Sequence, residues 1–135
     1  MNKIKKGKIL YGLIVNLEAS ILMVVSIFAS YAFPLPPTLV SLINAIAPIL
    51  IIVYTVQLHE NILDAFISLF VIALFFMVFL YILLVSPTFF GLVDNVGYFY
   101  GLAFLDSFRN TFFIFIYSLF GYFVGLIVRY VTTQG

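Results

Sequence analysis

From Ile9 to Phe33 the chain runs through 25 residues with a single charge, Glu18. A helix needs about 20 such residues, at about 1.5 Å each, to cross roughly 30 Å of bilayer hydrocarbon. Further apolar runs start near Thr38, Ile62 and Thr111. With 65% hydrophobic and 8% charged residues, this chain has too little polar surface to face water throughout. Lipid must be its solvent. Backbone N–H and C=O groups find no partners in hydrocarbon, so only helices or a closed barrel can span it. The apolar runs are near 20 residues and do not alternate, which excludes barrel strands of about 10 residues. The expected fold is an all-α membrane protein: a four-helix transmembrane bundle with an additional interfacial or re-entrant helix, in one domain.

The spans are expected at about 9–33, 38–58, 62–85 and 111–130. Pro34-Leu35-Pro36-Pro37 stops the first, because proline lacks a donor and disfavours helix in the residue before it. Thr38 is the expected cap of the second. Asn61 caps the third, with Asp64 in its first turn, and Ser86-Pro87 ends it. Residues 86–110 mix Asp94, Asn95, Asp106, Arg109 and Asn110 with many aromatic rings. Rings with a polar edge favour the membrane–water boundary, so residues 92–105 read as the interfacial or re-entrant helix, with a fifth span as the rival. The tail from Val131 is expected to fray. No internal repeat is evident.

Four of the six basic residues lie within the first eight positions, as Lys3, Lys5, Lys6 and Lys8. Lys and Arg gather on the cytoplasmic side of membrane proteins. Both termini are therefore expected in the cytoplasm, in a multi-pass protein of the cell membrane. A basic start followed by apolar residues also fits a signal peptide, with Ser30-Tyr31-Ala32 as its cleavage site. The run is about twice the usual length and holds an acid, so an uncleaved first helix is expected.

Candidate chemistry begins with Glu18, since an intramembrane acid is costly and needs a reason. On a helix it shares a side with Tyr11, Val15, Ala19, Leu22, Ser26, Ala29 and Ser30, a face rich in small residues. Small residues mark close helix contacts, so Glu18 is expected to point into the bundle. It is either a proton or cation site, or a packing group, hydrogen-bonded to a neighbouring helix or paired with Arg129. Asn44 lies one turn before Pro48, where a kinked helix can build a midplane site or merely bend. His59 is expected as a solvated loop residue, with proton relay as the alternative. Arg129 is expected to reach up to lipid phosphate, or else turn inward. Asn16, Gln57, Glu60 and Asp64 fall near the same end as these. Ser118, Gly121 and Gly125 form a small-residue stripe for helix–helix packing, within this chain or against another.

The composition also excludes classes. There is no cysteine and one histidine, so no cofactor and no multi-ligand metal centre is expected. No basic surface suits nucleic acid. No phosphate loop, paired acids or Ser/His/Asp set is present, so no enzyme activity is expected. The expected partners are the lipid bilayer and a membrane-protein partner or further copies of the chain. Two roles remain: a non-catalytic subunit or accessory component of a membrane complex, or a small oligomeric proton- or cation-coupled transporter or channel using Glu18. In one feature, Glu18 within Tyr11-Gly-Leu-Ile-Val-Asn-Leu-Glu18, the chain resembles the small multidrug resistance transporters. Those carry a tryptophan in helix three and this chain has none, so no family is assigned.

Overall fold

A computed structural model describes residues 2–134, and these form four α-helices and no strand. They are α1 (Lys3–Ala32), α2 (Pro37–Leu58), α3 (Ile62–Phe89) and α4 (Val96–Gln134). Each is long and apolar enough to cross a membrane, as a multi-pass membrane protein requires.

The helix boundaries follow local chemistry. Pro37 opens α2 at the first helical position, where its missing N–H costs nothing. Thr38 is therefore inside the first turn and is not the cap. Asn61 caps α3, its Oδ1 accepting from Leu63 N at 3.0 Å. The helix does not stop at Ser86-Pro87 but runs on to Phe89. Pro87 has no N–H for the carbonyl of Leu83, and the Ser86 hydroxyl donates to that oxygen instead, at 2.7 Å. Gly91, at φ 67°, then ends the helix. Gly91 N bonds Thr88 O and Leu92 N bonds Pro87 O, both at 3.2 Å, which satisfies the last carbonyls. Asn95 restarts the chain as α4, accepting from Tyr98 N.

The helix expected over 92–105 is not a separate element. From Val96 it is the beginning of α4, which continues unbroken to Gln134 through the tail expected to fray; Gly135 lies outside the described residues. The polar residues that suggested a break instead stay in the helix through short-range partners. Ser107 and Thr111 return their hydroxyls to carbonyls four residues back, each at 2.7 Å. Asn110 donates to Asp106 O at 2.8 Å, and Arg109 pairs with Asp106 at 3.4 Å. With 39 residues, α4 is about 58 Å long, nearly twice the hydrocarbon thickness. Its first turns pack on the end of α3, with Tyr81 against Phe104 and Thr88 beside Tyr100.

The helices form a ring in the order α1, α2, α4, α3, with α1 and α4 out of contact and α2 and α3 barely touching. Consecutive helices α2 and α3 are thus diagonal partners. Their link, residues 59–61, crosses one end of the bundle. That end also carries both termini and is called the terminal pole. Below it, Met23, Ile52, Leu69, Ile72 and Phe76 fill the centre, each at most 2% exposed.

Candidate functional site

The crossing link carries His59 onto the bundle axis. Its side chain is 7% exposed, not solvated as a loop residue would be. Nε2 lies 3.0 Å from Ser68 Oγ on α3 and 3.3 Å from Asn16 Oδ1 on α1. The ring edge faces Gly12, where an added Cβ would sit 3.9 Å away. One imidazole at the end of α2 therefore joins α1 to α3, two neighbours in the ring. Burial pushes its pKa below the usual 6.5, and Asp64 pulls weakly the other way.

α4 holds the same link from outside. Arg129 is half-buried, and its guanidinium turns to the link, donating to His59 O at 2.8 Å and Glu60 O at 2.5 Å. Carbonyls at a helix end lack helical partners, and a cation there satisfies them and opposes the helix dipole. Gln57 donates to Gly125 O at 2.9 Å, and the Tyr122 hydroxyl donates to Ile62 O at 3.2 Å. At the rim, Lys8 and Glu60 pair at 2.9 Å. Both are largely exposed, so that pair adds little to stability.

The remaining sequence candidates sit elsewhere. Glu18 does not point into the bundle: it is exposed, at the mouth of the groove between α1 and α2, beside Tyr54 and Thr55. Asn16, two residues earlier and so about 200° around the helix, takes the inward place. Arg129 is engaged with carbonyls and makes no ion pair with Glu18 among the described residues. Asn44 is fifteen residues from His59 along α2, about 22 Å away, where its Oδ1 accepts from Ser30 Oγ at 3.0 Å. The apolar centre lies between these two levels. Ser118, Gly121 and Gly125 are buried. A Cβ on Gly121 would stand 2.7 Å from Ile49 O, and one on Gly125 3.0 Å from Val56 Cβ. The stripe is thus taken up by α2 of the same chain.

Ser68 is the site residue that the sequence reading passed over. Its signal was present: Ala65, Ser68, Leu69, Ile72 and Phe76 form a helical stripe with its small residues at the polar end. No group of three or more His, Cys, Asp or Glu side chains suited to a metal ion occurs among the described residues. No family model, curated protein or solved structure matches the chain.

Proposed function

We propose that the chain is a non-catalytic subunit of a cell-membrane complex, with both termini cytoplasmic. The carrying observation is Glu18, an exposed carboxyl on the outer side of α1, with exposed Leu17, Ile21 and Leu22 around it on the same helix. Tyr54, beside it, is 54% exposed. A carboxyl facing acyl chains is costly, and a partner helix offering a hydroxyl, amide or cation removes that cost. The polar groups of the terminal pole are engaged in holding the link between α2 and α3, which suits a scaffold more than a catalyst.

The transporter reading needs a polar route, and the bundle core offers a single chain none. Met23, Ile52 and Phe76, at 0% exposure, lie between the His59 level and the Asn44 level. This favours the subunit reading.

The test is purification from native membranes in mild detergent, comparing the wild type with Glu18→Leu and Glu18→Gln. A distinct membrane protein should co-purify in fixed ratio with the wild type. Its recovery with Glu18→Leu should drop about tenfold, matching a loss near 1.4 kcal/mol. Glu18→Gln, which still forms hydrogen bonds, should retain more. A lone chain or homo-oligomer unchanged by Glu18→Leu overturns the proposal. Cation flux in liposomes that disappears with Glu18→Gln would establish the transporter instead.

A further inference from the structure

The outer face of α1 carries a regular line of side chains. Tyr11, Ile14, Glu18, Ile21, Val25 and Phe28 are spaced alternately three and four residues apart, and each is exposed. That spacing averages 3.5 residues, the period of the seam along which two helices wrap around each other at about 20°. The line is about 25 Å long, most of the roughly 30 Å of hydrocarbon. Among the described residues α1 touches only α2 and α3, so no helix of this chain covers the line. Beside it, Ile21, Val24 and Val25 of α1 and Phe79, Ile82 and Leu83 of α3 line a hollow of about 290 Å³. Every residue around that hollow is apolar.

Glu18 decides what belongs on this face. It lies ten residues along α1 from Lys8, about 15 Å below the rim where Lys8 pairs with Glu60. An acyl chain offers it no hydrogen bond, and a headgroup at the rim is out of reach. A second copy packed on the same line across a two-fold axis would bring Glu18 against Glu18, and like charges oppose that contact. A helix from a different protein has neither defect. We infer that one transmembrane helix of a distinct partner lies along this line, with an amide or cationic side chain on Glu18 and a bulky apolar side chain in the hollow between α1 and α3. Ile21 and Val25, which line the hollow, stand three and seven residues beyond Glu18, about 5–10 Å further from the rim. The partner's two side chains are therefore one to two turns apart. The inference rests on the subunit role proposed above and adds to it the surface used and the kind of helix that fits.

Photo-crosslinking of the full chain in native membranes tests it. Benzoylphenylalanine is placed singly at Ile14, Ile21, Val25 and Phe28, and at the exposed Leu74 of α3 and Phe120 of α4 as controls. The four α1 positions should give an adduct of one common mass that the controls do not give. Peptide sequencing should place it on a membrane span with Asn, Gln, Lys or Arg within two turns of the linked residue. Glu18→Leu should lower these adducts about tenfold, while Glu18→Gln keeps more of them. Val25→Trp, which fills the hollow, should lower the adducts at Ile14 and Phe28. Adducts with lipid alone, with a second copy, or with a span lacking such a polar residue overturn the inference. So do adducts equal at the controls, or unchanged by Glu18→Leu or by Val25→Trp. A co-purified partner released by Glu18→Leu, with α1 adducts no different from the controls, leaves the subunit role standing and ends this inference alone. Neither partner nor adduct ends both.

Discussion

His59 is the residue on which most of the terminal pole converges, and its burial makes it sensitive to protons. Neutral, it bridges Asn16 and Ser68 at 3.3 and 3.0 Å. Protonated, it would be a cation held among an amide, a hydroxyl and the α1 backbone. The charges that face it are Lys8, Glu60 and Asp64 at the rim and Arg129 over its own carbonyl. The folded-state pKa is lowered from 6.5, so between that lowered value and 6.5 the unfolded chain binds more protons than the folded one. The resulting stabilisation is fully present above about pH 6.5 and is lost as pH falls through the folded value. The midpoint of unfolding in a detergent titration should be flat from pH 7 to 8 and fall below 6.5. His59→Gln should remove the decline between pH 6.5 and 5.5. A decline that persists there in His59→Gln would place its source in another group. None of this was legible in Gln57-Leu58-His59-Glu60-Asn61. A polar pentapeptide between spans reads as solvated, and only the diagonal path of the chain buries its middle residue.

At the scale of elements, the contact between α2 and α4 is the most extensive among the described residues. Burial of apolar surface from water does not drive helix association in lipid, so close packing and hydrogen bonds carry it. Gly121 lets the α4 backbone reach Ile49, and Gly125 lets it reach Val53 and Val56. Gly121→Ala should destabilise the bundle by about 1–3 kcal/mol, the usual cost of overpacking a rigid contact. Gly101→Ala makes the opposite case. Nothing lies within 4 Å of its Cβ position, so it should be neutral or stabilising by up to about 1 kcal/mol through helix propensity. Detergent unfolding of the two variants side by side checks the pair; equal effects would contradict the packing argument. Gly97–Gly101 has the same spacing as Gly121–Gly125. Which pair meets a neighbour is a question of register between helices, and i, i+4 spacing within one helix carries no register.

For the whole molecule, the ring order α1, α2, α4, α3 leaves the terminal pole crossed by one short link and the opposite pole closed by the links at 33–36 and 90–95. The chain contains no cysteine among the described residues, so single cysteines report cleanly on topology. A cysteine at Pro36 should react with a membrane-impermeant maleimide from outside intact cells. One at Glu60 should react only after the membrane is opened. The reverse pattern would invert the proposed orientation while leaving the bundle intact.

Solvent and class were decided by composition and run length. Apolar stretches near 20 residues in a chain with 8% charge permit only helices in lipid, whatever their arrangement. The breaks at Pro34–Pro37 and at Asn61 were equally local, because proline geometry and side-chain caps act within one turn. Three matters depended on the fold. Polar residues at Asp106–Asn110 looked like an interruption, but hydrogen bonds inside one turn keep α4 whole. Small residues on α1 spread over more than half its circumference, so periodicity could not choose between Asn16 and Glu18 for the inward face. His59 became central only when α2 and α3 settled on opposite corners, a choice made by contacts between distant segments that no single stretch of sequence contains.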